Sequence, residues 1–462
     1  MHGMGCVVIL CFMPGNSKRL GAKTTHRLQK SRRKPCRYIF LFYLNATMTS
    51  KERKEGRRLR RIENRQRKKA DFLKQYNDFN LVTNTDNLYH AFKMSRRGVS
   101  WKESVQRYEN DVLRNINDTK QKLLNGESVQ KGFVEFQIHE RGKVRHIRSV
   151  HISERIVQKC LCDEILVPII TRSLIYDNGA SIKNKGISFA MNRLRCHLTK
   201  FYRENHSNKG YALVIDFSKY FDNILHEKLF EMQKNNLTDE RIFNLYKSFI
   251  TVFGDGISLG LGSQVSQISA ISYPNKLDHY CKEVLRIKYY GRYMDDTYLI
   301  HSDKKYLEYC LSEIKRICDE LGIKLNPKKT RIVSLDEGFW FLKGKYILLE
   351  SGKIICKPAR DGALRMRRKL KKFLKMVEEG TMSLLDVYTS YQSFRSHLMQ
   401  FDSYHIVHNM DKYYAKLFVH NYSLLYDEPR ITHKNGILSE RNRCIVPISR
   451  VSIKKMPLLA GV

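Results

Sequence analysis

"YYGRYMDDTYLI", residues 289–300, is the most informative stretch of this chain, because it sets two aspartates between two apolar runs. The flanking segments "YYGRY" and "TYLIH" predict two strands joined by a tight turn. At the tip of that turn Asp295 and Asp296 repel each other unless water or a cation lies between them. An exposed acidic turn with a purely structural role is the alternative that the dipeptide alone allows.

A second stretch, "YALVIDFSKYFDNILHEKL" (211–229), predicts a buried strand that ends at Asp216. A carboxylate at the end of an apolar strand is held rigidly. If this strand neighbours the hairpin, Asp216, Asp295 and Asp296 converge, and such a cluster can hold two divalent cations about 3.5 to 4 Å apart. Phosphoryl transfer is the chemistry that uses two cations in this way.

Composition indicates a packed chain with a polyanionic partner. The 462 residues include 11% aromatic and 42% hydrophobic side chains, enough for two or three domains and too apolar for dominant disorder. The 84 Lys and Arg residues against 46 Asp and Glu give a net charge of +38, which favours nucleic acid over an anionic membrane surface. The apolar runs "CVVILCFM" and "YIFLFYL" are too short to span a bilayer, so we expect no membrane partner.

The 11 cysteines are scattered and include no CxxC pair. This pattern argues against a zinc ribbon or a disulfide framework and indicates a reducing, cytoplasmic location.

Two N-terminal segments precede the stretches that carry the aspartates. We interpret residues 1–47 as an N-terminal extension. Either translation begins at Met48, or the extension is native and faintly resembles a signal peptide. Residues 48–130 predict a basic arm followed by a helical layer. The basic run 51–69 is either a solvated arm or a nucleic-acid-binding helix. Helical spacing over 88–124 is marked by Trp101, Val105, Tyr108, Val112 and Ile116.

Basic side chains follow in two segments. Residues 132–161 predict two short strands around a Gly142 turn and then a helix entered near Ser153, and the basic residues there alternate with other types. The loop "NGASIKNKG" (178–186) carries Lys183 and Lys185 before another helix, which alone is weak evidence for a phosphate site.

At this point the sequence resembles the reverse transcriptases, whose catalytic hairpin reads Tyr-x-Asp-Asp and stands here as Tyr293-Met294-Asp295-Asp296. The resemblance runs from about residue 88 to about residue 420 and implies an α+β, right-hand polymerase fold. The parts that it implies are fingers (131–200), a palm with an antiparallel sheet (201–347), a small helical thumb (348–425) and a C-terminal tail (426–462).

The resemblance implies catalytic roles for four residues. Asp216, Asp295 and Asp296 would bind two Mg2+ ions, with Mn2+ able to replace them in vitro. Lys329, in "LGIKLNPKKTRI" (321–332), matches the lysine that is a candidate general acid for the departing pyrophosphate. A solvent-exposed lysine in a turn is the alternative for Lys329.

The resemblance also implies a nucleotide site. Phe221 matches an aromatic residue that collides with a 2'-hydroxyl and so selects deoxynucleotides, although a ring there could instead be core. "LGSQVSQISAISYPNKLDHY" (261–280) places Gly262 and the Ser266-Gln267 dipeptide against the template and the nascent base pair. That dipeptide, with Asn275 and Leu277-Asp278-His279, is similar to the diversity-generating retroelement branch. The other nucleotide-binding candidates are Phe217, Lys143, Arg145, Lys183 and Lys185.

Two downstream segments match nucleic-acid contacts of the family. "FWFLKGKYI" (339–347) is similar to the primer grip and gives Phe341, Leu342, Lys343 and Gly344. Residues 363–380 predict an amphipathic helix with Leu364, Leu370, Phe373 and Val377 on one face. Alone it could lie on a membrane; after a palm it resembles the thumb helix that follows the product duplex. Its basic candidates for nucleic-acid binding are Arg365, Arg367, Arg368, Lys371 and Lys372.

The sequence therefore predicts an RNA-directed DNA polymerase, a nucleotidyltransferase that takes template RNA, a DNA or RNA primer and dNTPs. The retroelement likeness implies a dedicated template RNA and a small basic accessory protein. The alternatives are a phage-defence or retron-type reverse transcriptase and, in a different class, a catalytically inactive RNA-binding relative.

Overall fold

The computed structural model describes residues 49–140 and 143–419, without the side chains of Glu140, Lys143 and Arg145. The predicted N-terminal extension (1–47), Gly142 and the predicted tail (426–462) lie outside the described residues. The chain divides into two compact units. The larger contains the described residues of Met1–Leu342 together with Tyr346–Ile355, and the smaller contains Lys343–Lys345 and the described residues of Cys356–Val462.

Helices and strands are mixed along the chain, as the α+β class requires. The helices are α1 (Ser50–Tyr76), α2 (Asn80–Thr83), α3 (Thr85–Ser95), α4 (Glu103–Asn110), α5 (Val112–Leu124), α6 (Ile152–Leu161), α7 (Val167–Thr171), α8 (Ile187–Asn205), α9 (His226–Lys234), α10 (Glu240–Thr251), α11 (Gln264–Ser272), α12 (Asn275–His279), α13 (Lys304–Glu320), α14 (Asp361–Glu378), α15 (Leu384–Leu398) and α16 (Tyr404–Phe418). The strands are β1 (Phe133–Glu140), β2 (Lys143–Val150), β3 (Tyr211–Asp216), β4 (Tyr289–Tyr293), β5 (Asp296–His301), β6 (Arg331–Ser334), β7 (Phe339–Phe341), β8 (Gly344–Leu348) and β9 (Ile354–Pro358).

An antiparallel sheet of four strands, in the order β4-β5-β3-β6, forms the centre of the larger unit. Its middle strand β3 is buried at Ala212, Leu213 and Ile215, which matches the apolar run in the sequence. The strand that ends at Asp216 therefore neighbours the hairpin β4–β5, which meets the condition that the sequence analysis set for the three aspartates to converge. A separate sheet has the order β7-β8-β9.

The segment 132–161 folds as predicted. Strands β1 and β2 pair antiparallel, with Phe133 opposite Val150. Helix α6 then begins at Ile152, because the side chain of His151 accepts a hydrogen bond from the backbone N–H of Ser153 and so caps the first turn.

The predicted helical layer is present, with two differences. Val105, Tyr108 and Ile116 are buried, as their spacing predicted, but Trp101 precedes α4 and is 72% exposed. Asp111, whose backbone leaves the helical region (φ −120°, ψ 41°), separates α4 from α5, so the segment is not one continuous helix.

The smaller unit packs α14, α15 and α16 around a core of its own. Met366, Leu370 and Phe373 of α14 face Val387 and other apolar side chains of α15 and α16. The predicted placement of Leu364 on this face is wrong, because it is 57% exposed. Met366 lies four residues before Leu370 and so takes the buried position, whereas Leu364 lies six residues before it and points elsewhere.

Among the described helices, none is long and apolar enough to cross a membrane.

Candidate active site

Three aspartates meet at one edge of the central sheet. Asp216, the last residue of β3, lies directly opposite Asp296, the first residue of β5. Tyr293 also pairs with Asp296, so Met294 and Asp295 form a two-residue turn between β4 and β5. Met294 has a φ of 58°, an uncommon conformation for a side chain of its size. Backbone strain of this kind is found where a turn must present particular side chains.

A lysine and an asparagine hold the carboxylate of Asp216. Lys329 Nζ donates to Asp216 Oδ1 at 2.7 Å, and Asn326 Nδ2 donates to Asp216 Oδ2 at 3.0 Å. Burial acts to lower the pKa of Lys329, but its hydrogen bond to Asp216 and the nearby carboxylate charges outweigh this and raise it. Lys329 is therefore a firmly charged ammonium group within the aspartate cluster.

The ionisation of Asp296 is strongly perturbed at this edge. Burial raises its pKa, and the negative charges of Asp295 and Asp216 raise it further, to about 7, with Lys329 opposing the rise. A carboxyl behaves in this way where negative charge exceeds the positive charge available to neutralise it. The cluster therefore favours the uptake of a proton or of a cation.

The donor chemistry of the cluster fits divalent cations. Within residues 49–140 and 143–419, no three His, Cys, Asp or Glu side chains already form a metal shell. Both oxygens of Asp216 accept hydrogen bonds, from Lys329 and Asn326. Three carboxylates nevertheless supply the hard oxygen ligands that Mg2+ prefers, and the charges of Asp295 and Asp216 add to the effect of burial in raising the pKa of Asp296. If a metal ion binds here, the carboxylate of Asp216 would release the ammonium group of Lys329 and bind the metal ion in its place.

A buried arginine beneath the turn was not identified from the sequence. Arg292, in β4, is 1% exposed and forms an ion pair of 2.7 Å with the equally buried Asp278 of α12. Its Nη1 donates to the carbonyl oxygen of Met294 at 3.0 Å, and its Nη2 donates to that of Ile271 at 2.7 Å. Tyr290 donates its hydroxyl to Asp278 at 2.6 Å. The available signal was a lone arginine in an otherwise uncharged strand three residues before an aspartate pair.

The loop that carries Lys183 and Lys185 lies beside the edge of β4. Asn178 forms a parallel bridge with Arg292. Lys185 Nζ donates to the carbonyl oxygens of Tyr176 and Asn178, at 2.7 and 3.1 Å, and burial lowers its pKa. Lys185 therefore braces this loop, whereas Lys183 is exposed. The predicted binding of phosphates by either side chain stays a prediction.

A cavity of about 470 Å3 adjoins the segment matched to the template and the nascent base pair. Gly262 and Gln267 line it together with the cationic side chains of Arg155 and Lys159 from α6. Ser266, the neighbour of Gln267 in α11, is fully buried and does not line the cavity. The structure thus separates the predicted Ser-Gln dipeptide into one buried and one exposed residue.

The two candidate phenylalanines differ in exposure. The ring of Phe217 is 2% exposed and packs on Tyr220 with centroids 5.3 Å apart, so that a nucleotide could meet only its backbone. Phe221 opens a short 3-10 turn and is half-buried, with its ring edge-on to Tyr220. The side chains of Lys143 and Arg145 lie outside the described part of the structure.

The predicted primer-grip residues surround the turn between β7 and β8. The ring of Phe341 is buried and lies edge-on to Tyr298 at 4.9 Å. Leu342 and Lys343 form the turn itself, both with positive φ, 48° and 69°. A Cβ atom at Gly344 would lie 2.8 Å from the ring of Phe401, so only glycine fits there.

The five basic candidates of α14 are all exposed. Arg365 forms an ion pair with Asp361 one turn earlier, and the guanidinium of Arg367 lies over the ring of Tyr413 at 5.3 Å. The remaining three are Arg368, Lys371 and Lys372. Their role in nucleic-acid binding stays a prediction.

Comparison with known families identifies the middle part of the chain. Residues 131–347 match the family described as "Reverse transcriptase (RNA-dependent DNA polymerase)". This segment therefore has the features of a reverse transcriptase domain, and the family that it matches is one of RNA-directed DNA polymerases, which are nucleotidyltransferases. The match, together with the mixed helices and antiparallel sheets, confirms the predicted right-hand polymerase fold. No curated protein matches the chain.

The solved structures to which the chain is similar are distant. A Candida albicans telomerase in complex with a fragment of telomeric RNA has 13% identity and a TM-score of 0.40, over 64% of this chain and 57% of that one. A Candida tropicalis apo telomerase truncated of its C-terminal domain has 12% identity and a TM-score of 0.37, over 48% and 54%. The apo telomerase of the same species has 11% identity and a TM-score of 0.37, over 68% and 65%. The chain thus spans 57% of the first of these proteins, and likeness at this level assigns it neither substrate nor partner.

Proposed function

We propose that this chain copies an RNA template into cDNA by two-metal-ion nucleotidyl transfer, extending a DNA or RNA primer with dNTPs. One observation carries the proposal: Asp216 and Asp296 face each other across β3 and β5, beside the turn that carries Asp295, within a domain that matches the reverse transcriptase family. The negative charge that raises the pKa of Asp296 is the charge that such a reaction needs.

In this proposal Asp216, Asp295 and Asp296 bind two Mg2+ ions. The ions, when bound, lower the pKa of the attacking primer hydroxyl and stabilise the charge on the leaving pyrophosphate. Lys329 stays protonated because of its acidic neighbours, so it holds a proton within reach of the leaving group once it separates from Asp216. Arg292 fixes the turn through the carbonyl oxygen of Met294 and does not itself touch the reacting atoms.

The remaining residues bind and select. The cavity beside Gly262 and Gln267 is also lined by Arg155 and by Lys159, which is paired with Asp163 at 2.7 Å, and the guanidinium of Arg155 suits a template nucleotide and its phosphate. The half-buried ring of Phe221 selects the deoxyribose. Residues 131–200, 201–347 and 348–425 serve as fingers, palm and thumb.

A diversity-generating retroelement is the biological role that we favour, with a dedicated template RNA and a small basic accessory protein in the cytoplasm. The residues that support it are Ser266, Gln267, Asn275 and the Leu277-Asp278-His279 run. Near-identical repeats beside the gene that differ at adenines are the expected genomic observation. Their absence would favour a phage-defence or retron-type enzyme.

The reaction is tested with an oligo-dT primer on poly-rA in the presence of Mg2+ or Mn2+. We expect incorporation by the wild-type chain and a loss of about 1,000-fold or more in Asp295→Ala and in Asp296→Ala, because each removes a metal ligand. Asp319→Ala, at an exposed aspartate of α13, is the matched control and should retain full incorporation. A wild-type chain that binds RNA without incorporation would establish the inactive relative instead.

Sugar selection is tested at Phe221. Replacement by Ala opens space for a 2'-hydroxyl, so we expect the ratio of kcat/KM for ribonucleotides over deoxynucleotides to rise about 10- to 100-fold. Steady-state kinetics with matched rNTP and dNTP pairs measures this ratio. An unchanged ratio would mean that the ring only packs against Tyr220.

A further inference from the structure

Helix α1 is a basic rod on the surface of the larger unit. Its 27 residues, "SKERKEGRRLRRIENRQRKKADFLKQY", contain twelve Lys and Arg residues against four Asp and Glu residues. None of its side chains is buried, and every one of its basic residues is exposed. At a rise of about 1.5 Å per residue the helix is about 40 Å long. The basic run that the sequence left open between a solvated arm and a nucleic-acid-binding helix thus forms a regular helix whose basic side chains are exposed.

The helix is fixed at one end and capped at the other. Phe72 and Tyr76, near its C-terminus, pack against the hydrophobic core, and the guanidinium of Arg172 lies over the ring of Phe72 at 4.1 Å. At the N-terminus Thr49 and Glu52 form a reciprocal capping box. The basic part between these ends therefore extends from an anchored last turn.

The basic residues share one broad face. With about 100° between successive residues, they cover about 220° of the helix circumference. The centre of this face is a line formed by Lys54, Arg57, Arg61, Arg65 and Lys68. The opposite face contains Glu52, Glu55, Leu59, Ile62 and Glu63.

Little of this positive charge is neutralised within the chain. In the part of the chain that the structure describes, Arg58 is the one basic residue of α1 in an ion pair, at 3.4 Å from Glu55. A rod of uncompensated cations repels itself and is stabilised by a polyanion along its length.

The side chains of α1 distinguish between the possible polyanions. Proteins that bind single strands use aromatic side chains on which bases stack, and α1 has no aromatic residue before Phe72. Helices that lie on a membrane insert an apolar face, and the face of α1 opposite its basic line carries three glutamates. A straight, rigid array of cations instead matches the regular phosphates of a duplex, which A-form RNA presents across a wide minor groove.

We propose that the basic face of α1 binds the phosphates of double-stranded RNA, in a folded segment of the RNA that the enzyme copies. The choice of RNA as the duplex rests on the proposed function; the binding of a duplex rests on α1 alone. This surface is distinct from the aspartate edge of the central sheet and from α14. It would retain a structured template while copying proceeds elsewhere on the chain.

The test compares the full chain with Arg57→Gln/Arg61→Gln/Arg65→Gln, which removes three charges from the centre of the basic face and keeps helix-forming side chains. The probe is a fluorescent RNA hairpin with a stem of about 20 base pairs, titrated at several salt concentrations. We expect the variant to bind about 10- to 100-fold more weakly near 0.1 M salt, with a log–log salt slope reduced by about 2 to 3. The matched control, Lys304→Gln/Lys305→Gln/Lys315→Gln on α13, removes the same charge and should bind the hairpin as the wild type does.

Three outcomes would overturn the proposal. The first is that the α13 control loses as much affinity for the hairpin as the α1 variant does, and the second is that the α1 variant loses as much affinity for an unstructured single strand of the same length. The third is that binding to anionic vesicles depends on the basic face of α1 whereas binding to the hairpin does not. Oligo-dT extension on poly-rA should be unchanged in the α1 variant at saturating substrate. Failure of the reverse transcriptase proposal would instead appear as absent extension by the wild-type chain, whatever the hairpin data.

Discussion

The fold opposes ionisation of the Asp296 carboxyl. Its pKa of about 7 exceeds the ordinary value of 3.8, because burial and the charges of Asp295 and Asp216 oppose its ionisation in the folded state. When folding raises the pKa of a group, the contribution of that group to stability is complete at pH values below its pKa in the unfolded chain. The contribution is then lost as the pH rises through its pKa in the folded protein. The metal-free protein should therefore lose stability from this group between about pH 4 and pH 7.

We predict that Asp296→Asn raises the free energy of unfolding in metal-free buffer at pH 8 by about 1 to 3 kcal/mol, discounted for partial exposure. The gain should shrink as the pH is lowered through 7 and should vanish below about pH 3, where the wild-type carboxyl is protonated in both states. Urea denaturation monitored by circular dichroism measures it, and Asp319→Asn on the exposed face of α13 is the control. A gain in stability that does not vary with pH would show that the pKa of Asp296 is not raised in the folded protein.

Single residues were predictable where their chemistry is local. The aspartate pair and the strand-end Asp216 stand out in the sequence because an apolar run delivers each of them. The bracing role of Lys185 was not predictable, since its acceptors are carbonyl oxygens whose position depends on the loop's own fold. Ser266 and Gln267 are adjacent in sequence, and only the helix rotation of α11 turns one inward and the other outward.

At the scale of elements, periodicity predicted the strands and helices, but it did not predict how Arg292 joins them. Its partner Asp278 is 14 residues earlier, in a short helix whose packing is a tertiary property. The guanidinium connects three elements, since it binds Asp278 of α12, the Ile271 carbonyl of α11 and the Met294 carbonyl of the turn. The turn is therefore positioned by helices that no local pattern relates to it.

We predict that Arg292→Lys lowers kcat for dTTP incorporation about 10- to 100-fold and changes the KM for dTTP by less than about 3-fold. Lysine keeps the charge, but one ammonium group cannot reach the three acceptors that the planar guanidinium spans. The free energy of unfolding should fall by about 2 to 4 kcal/mol.

Tyr290→Phe is the matched control, because it removes one hydrogen bond to the same Asp278 and leaves Arg292 in place. It should cost about 1 kcal/mol of stability with kcat close to that of the wild type. A normal kcat in Arg292→Lys, despite lower stability, would mean that the network supports the fold and does not position the turn.

At the scale of the whole molecule, the net charge of +38 predicted a polyanionic partner. It did not predict which parts of the fold carry the positive charge. The structure places two basic helices in different units, α1 in the larger and α14 in the smaller. The sequence left α1 open between an arm and a helix, because a charge run without an apolar stripe has no periodicity to interpret. For α14 the apolar stripe was informative, and all five of its basic candidates are exposed.

We predict that the two helices bind different nucleic acids. Arg368→Gln/Lys371→Gln/Lys372→Gln on α14 should weaken binding of an oligo-dT/poly-rA primer–template about 10- to 100-fold, reduce its salt slope by about 2 to 3, and shorten the products made in one binding event. The same variant should bind the RNA hairpin as the wild type does, because the hairpin contacts α1. The α1 variant Arg57→Gln/Arg61→Gln/Arg65→Gln should show the reverse. If each variant instead weakens both ligands equally, the charge acts through the overall potential of the molecule, and neither helix is a separate site.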